Sequence, residues 1–286
     1  SFQGNVGTTG DRIASVVLTN SSGTIDFASD LFATSLSSGS NNFGLQFNGS
    51  SVGITNAVTL ANTGTVVFGN ASADSLQFTA GITHTAGNTN IGGAVTTTSG
   101  AVDLAAVTLL DDASISTTNQ TITLASVIGA NNDLDLDSGT AQSTVSGSLT
   151  GVADLELGDG AADAGIYRFN GDVSATSLTS PAGSDYQIQL RGSSTTFSSL
   201  ATLNTTGLVI LGDGSTDTLT FNGGVIHTAG TTQVAGSVLS SDDQITLGAV
   251  TLLANTSFNT SATTTAGDIT LADVSGGSGN FDLILQ

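Results

Sequence analysis

The chain has 286 residues, of which 23 are acidic and 3 basic, giving a formal net charge of -20 at pH 7. That charge excludes partners held through phosphates, nucleic acid and anionic lipid among them, because such binding needs Lys and Arg to neutralise the phosphates. A hydrophobic content of 38% with only 9% charged residues is too apolar for a disordered acidic tail, and the absence of cysteine removes disulfide and thiolate chemistry.

The three basic residues, Arg12, Arg168 and Arg191, are scattered along the sequence, and every acid except Glu156 is aspartate. Aspartate belongs in turns more than in helices. No window reaches the ~18 consecutive apolar residues of a membrane span, so direct membrane insertion is not expected. Residues 1 to 30 lack a basic start followed by an apolar core. The chain reads as a segment of a longer protein, with signal and anchor elsewhere.

In chain order, residues 1 to 36 carry Phe2, Val6, Ile13, Val16, Val17, Leu18, Ile25, Phe27, Leu31 and Leu36 in short runs separated by Gly, Ser, Asn and Thr. Such runs are strand-sized. Between Phe43 and Leu60, Phe43, Leu45 and Phe47 alternate with Gly44 and Gln46, which places the three on one face of a strand. From Ile91 to Leu136 come Val95, Val102, Leu104, Val107, Leu109, Ile122, Leu124 and Leu134, and the second half repeats the series as Val234, Val238, Ile245, Leu247, Val250, Leu252, Ile269, Leu271 and Leu283.

That repetition is a duplication. The run FGNASADSLQFTAGITHTAG from Phe68 to Gly87 aligns without a gap on LGDGSTDTLTFNGGVIHTAG from Leu211 to Gly230, at an offset of about 143 residues. Asp74 falls on Asp217, Leu76 on Leu219, Phe78 on Phe221, Gly81 on Gly224 and His84 on His227. Two tandem copies are expected, residues 1–143 and 144–286, with one small insertion near Thr263 to Gly267 in the second, since insertions collect in turns. Within a copy, strand-ending residues recur near Phe27, Phe47 and Phe68, then near Phe169, Leu190 and Leu211, about every 21 residues.

A period of that length fits one rung of a parallel β-solenoid. The fold expected is therefore all-β, a parallel β-helix of about 14 rungs, right-handed by the crossover preference, with rungs ~4.8 Å apart along a stiff rod. An array of two antiparallel β-sandwich domains is the alternative. The single proline, Pro181, suits a continuous ladder, because proline removes a strand donor.

Candidate chemistry is sparse. The acidic turns offer Asp159 and Asp163 in one place, Asp213 and Asp217 in another, and calcium is the ion that turn aspartates and carbonyls would hold. The first copy has Asn70 and Ala71 where the second has Asp213 and Gly214, so a plain tight turn is the competing reading. His84 and His227 are duplicated and have no second His or Cys to complete a metal site, which points to a structural or surface role. The acids Asp111, Asp112, Asp133, Asp135, Asp137, Asp242 and Asp243 lack a basic partner for catalysis on an acidic sugar. Threonines such as Thr83, Thr85 and Thr96 suit solvated strands and do not form a Thr-x-Thr pair on every rung. No catalytic residue, cofactor or enzymatic activity is expected.

The FNG-x-V elements at Phe169 and Phe221, the LGDG elements at Leu157 and Leu211 and the HTAG elements at His84 and His227 resemble the β-strand repeat regions of giant secreted bacterial surface proteins. Filamentous-haemagglutinin-like adhesins and autotransporter passengers are the families of that style. The resemblance implies an extracellular location on the bacterial cell surface and a structural part in adhesion or in building a matrix, with cell-surface or matrix components as partners. Open rung ends would allow end-to-end or lateral self-association into filaments. Two other roles remain open, a carbohydrate-active β-helix enzyme and a calcium-stiffened binding solenoid.

Overall fold

Alternating apolar and polar residues make strands with one buried face, and short small-residue turns let each strand stack on the equivalent strand of the next turn. A computed structural model describes residues 1–19, 22–159, 163–261 and 267–286. These residues form 26 strands and no helix. The strands pair in parallel as a β-solenoid of about 12 turns. The ladder is parallel within each half, so the antiparallel sandwich is not found.

Contacts divide the chain into two compact units, Ser1–Ser138 and Gly139–Gln286. In the first unit each turn has three faces. On the first face Gly23–Phe27, Phe43–Phe47 and Val66–Phe68 stack with Phe27 opposite Phe47 and Phe47 opposite Phe68. Residues 89–91 and 107–109 continue that column. The second face stacks Ser51–Ile54, Ser75–Phe78, residues 94–97 and 113–117, and Leu134–Asp137. Val58–Leu60, Ile82–His84 and residues 102–104 and 122–124 make the third.

The second unit repeats the plan. Its first face carries Gln142–Val145, Ile166–Phe169, Gln187–Leu190 and Leu208–Leu211, and its second carries Ser194–Phe197 and Thr218–Phe221. On the third, Ala201–Leu203 stacks on residues 179–180, and Val225–Ser240 and Ile245–Asn259 extend the column. The insertion expected near Thr263 to Gly267 lies, except for Gly267, outside the described residues.

About 12 turns stand where about 14 were expected, because the step is not uniform. Phe47 meets Phe68 after 21 residues, but Val145 meets Phe169 after 24. Residues 1–12 contribute the isolated bridges Phe2↔Phe27 and Val6↔Leu31 and no strand.

The interior is a set of stacked columns. Phe2, Phe27, Phe47 and Phe68 lie ring on ring at 4.9, 5.6 and 5.8 Å, and Phe197 stacks on Phe221 at 5.7 Å. Each fully buried side chain of this size contributes roughly 1.5–3 kcal/mol relative to exposure.

Corners are made in two ways. Gly81 and Gly224 have φ of +104° and +88°, and a Cβ on Gly224 would lie 2.5 Å from the Gln244 carbonyl oxygen, so glycine is required there. Elsewhere the strand does not stop. Val225–Ser240 runs on for 16 residues, turning at register shifts between His227 and Thr231 and between Val234 and Gly236. A bulge bends a strand without ending its ladder.

Candidate functional site

The acidic turns resolve into caps. Asp217 is buried, and its Oδ2 accepts the backbone N–H of Asp213 at 2.9 Å and of Gly214 at 2.8 Å. Asp74 does the same in the first unit, accepting from Asn70 at 2.9 Å and Ala71 at 3.2 Å. Its turn thus keeps the geometry without the aspartate and glycine that the second copy has there. Asp163 accepts from the Asp159 N–H at 3.1 Å. A carboxylate that receives backbone donors closes a tight turn as an N-cap does.

Of the residues singled out for calcium, the structure therefore brings Asp213 beside Asp217 and Asp159 beside Asp163, with the second of each pair buried and facing amides. Asp159 and Asp213 are exposed, and Asp213 Oδ2 pairs with Arg191 Nη1 at 3.0 Å. Gly160 lies outside the described residues. Among the described residues no group of three or more His, Cys, Asp or Glu is placed to hold a metal ion.

Asp111 and Asp112, at a bend of the strand Val102–Thr117, also accept backbone amides. Asp111 accepts the Ser72 N–H and the Asp112 N–H, each at 2.9 Å, and these bonds hold its pKa below the usual carboxylate value. Asp112 accepts the Asp133 N–H at 2.9 Å.

Both histidines are interior, with no exposure. His84 Nε2 lies 3.1 Å from the Asn62 carbonyl oxygen and Nδ1 2.9 Å from Thr89 Oγ1. His227 repeats this with the Thr205 carbonyl at 3.2 Å and Thr232 Oγ1 at 2.8 Å. A carbonyl only accepts, so Nε2 carries the proton and Nδ1 accepts from the threonine hydroxyl. Burial lowers both pKa values, and the bond to the backbone carbonyl opposes that in part. Each ring ties the end of the third face to the start of the next turn.

Around each ring the corner carries further polar contacts. Asn62 Nδ2 donates to the Phe43 carbonyl at 3.1 Å in the first unit. In the second, the Tyr186 hydroxyl meets Ser180 Oγ at 2.7 Å, and burial pushes that phenol up to about 12.

On the outer surface the ladder brings Thr59 beside Thr83 and Asp103 between Thr83 and Thr123. A cleft of about 210 Å³ in the second unit is lined by Ser215, Ser237, Asn255, Ser257, Asp282 and Ile284, which include one carboxylate and no second acid or base to work with it.

One cluster was not seen in the sequence. Arg168 and Arg191, read there as scattered, meet on the first face of the second unit. Gln189 Oε1 accepts Arg168 Nε at 2.9 Å and Arg191 Nε at 3.0 Å. The signal was present in the 21-residue step, which sets Gln189 on Arg168 in the next turn. Arg12 lies elsewhere, with Nη1 donating to the Gly53 carbonyl and its guanidinium 5.6 Å over the Phe32 ring.

Comparison of the chain with protein-family models, with curated proteins and with solved structures finds no match in any of the three.

Proposed function

We propose that the chain is a structural repeat segment of a bacterial surface fibre or adhesin, working outside the cell in adhesion or matrix building. One observation supports this most: the two copies keep a buried apolar and polar frame at matched positions, while outward residues on the first face change their chemistry. Leu76 and Leu219, Phe78 and Phe221, His84 and His227, and Thr89 and Thr232 are matched and buried. On the first face the outward residues Asp26, Asn48 and Asn70 become Arg168, Arg191 and Asp213. A chain that repeats its frame and leaves its surface free to vary is one whose frame is its product.

The style of the repeats supports the same reading. An antibody against the chain is expected to label intact cells that produce the protein, and beads coated with the purified chain are expected to adhere to matrix or cell surfaces. Labelling only after lysis would overturn the proposal. Release of new reducing ends from polysaccharides by the purified chain would replace it with the enzymatic reading.

A further inference from the structure

The arginine pair has features that packing alone does not demand. Gln189 is only 4% exposed, and its Nε2 donates to Gln187 Oε1 at 3.0 Å. That bond fixes the carboxamide with its oxygen toward the arginines. Two guanidiniums that share one acceptor oxygen repel each other. Arg191 is balanced by Asp213 at 3.0 Å. Arg168 has no carboxylate within ion-pair distance among the described residues, and Nε is its one hydrogen-bonding atom. The terminal Nη edge of Arg168 is left as an open fork.

The first copy shows that the fold does not need this arrangement. There Asp26 stands in place of Arg168, Gln46 of Gln189 and Asn48 of Arg191, and Asn48 Nδ2 donates to Asp26 Oδ1 at 2.9 Å. The same ladder is built without a cation.

We infer that Arg168, held in place by Gln189 together with Arg191, binds the carboxylate of an acidic sugar unit. A planar carboxylate matches the guanidinium fork with two parallel charge-assisted bonds. On the same face Gln142 Nε2 donates to Thr144 Oγ1 at 2.6 Å, which leaves the Thr144 hydroxyl hydrogen, the Gln142 amide oxygen and the Gln187 amide nitrogen as partners for sugar hydroxyls. The net charge of -20 repels polyanions, so the ligand is an isolated acidic unit in an otherwise neutral glycan. The inference gives the proposed surface role a ligand class, but the site is tested without reference to location.

The test titrates D-glucuronate into the ¹⁵N-labelled full chain at low ionic strength, following the arginine Nε–H resonances, with D-glucose and acetate in parallel. Glucuronate is expected to shift the Arg168 resonance saturably, with a Kd on the order of millimolar. Glucose is expected to leave it unmoved and acetate to bind more weakly. Arg168→Gln should weaken glucuronate binding about tenfold or more, and Arg168→Lys, which keeps the charge and loses the fork, should weaken it also.

Gln189→Glu sets a resident carboxylate between the two guanidiniums. It should abolish binding while the thermal transition stays intact, which separates loss of the site from loss of the fold. A resonance that glucuronate does not move, or binding indifferent to Arg168→Gln and Gln189→Glu, would overturn the inference. Equal binding of acetate and glucuronate would overturn its assignment to a sugar. Cells labelled only after lysis would remove the surface role and leave the site standing.

Discussion

At the scale of single residues, His84, His227 and Asp217 are held inside this solenoid by their hydrogen-bond partners. Burial keeps His84 and His227 neutral, with pKa values below the ordinary 6.5, whereas the unfolded chain regains that value. The unfolded state therefore binds more protons as pH falls below 6.5, and stability present above that value is lost toward the lowered folded pKa. Urea midpoints are expected to drop between pH 7 and pH 5, and the drop should shrink in a His84→Gln, His227→Gln double variant. Asp217 gives a second expectation. Asp217→Ala removes the acceptor of the Asp213 and Gly214 amides and should cost about 1–2 kcal/mol in chemical denaturation, while Asp217→Asn, which keeps an acceptor, should cost less. Thermal unfolding of the wild-type chain is expected to be the same in calcium as in chelator, since Asp163 and Asp217 already face backbone donors.

At the scale of elements, the stacked columns carry the stability. Phe47 sits between Phe27 and Phe68, so Phe47→Ala should cost about 3–5 kcal/mol by leaving a cavity. Phe47→Leu should cost less than about 1.5 kcal/mol, because the second copy places Leu190 at the same step. Comparison of urea midpoints for the two variants checks both values. The strands themselves were legible wherever alternation was clean, as at Phe43, Leu45 and Phe47, and the 21-residue step gave the parallel stacking.

The corners were not legible in the same way. Val102–Thr117 and Val225–Ser240 run through them as single strands of 16 residues, because bulges do there what turn residues do elsewhere. Burial of His84 could have been inferred from Ile82, its alternate neighbour on the third face. The partners Asn62 and Thr89 could not, because they belong to a corner that no single strand's pattern describes. Asp217 carried a turn signal, but its role as acceptor of two amides depends on the folded turn. Arg168 and Arg191 were hidden by reading charge along the sequence when the ladder places it across turns.

At the scale of the whole molecule, composition sets the response to solvent. A net charge of -20 with 3 basic residues leaves most acids without a cation, and their mutual repulsion opposes the folded state. Added salt screens exposed charges over roughly 8–10 Å near physiological strength. The melting temperature is therefore expected to rise between low salt and about 0.15 M sodium chloride, as calorimetry would show. A fall would mean that pairs such as Arg191 with Asp213 outweigh the repulsion. The duplication works at this scale too: buried positions such as Leu76 and Leu219, Phe78 and Phe221, and His84 and His227 are matched, so a variant at one has a ready internal comparison at the other.

Tyr167 and Tyr186 stand edge to face with ring centroids 5.2 Å apart, and the chain has no other tyrosine and no tryptophan. Both lie in the second unit. Intrinsic ultraviolet fluorescence excited at the tyrosine band therefore comes from one half of the polypeptide, and opening of the first unit alone would pass unseen by that probe while far-ultraviolet circular dichroism registered it. The pair is a built-in reporter that tells which of the two duplicated halves lets go first.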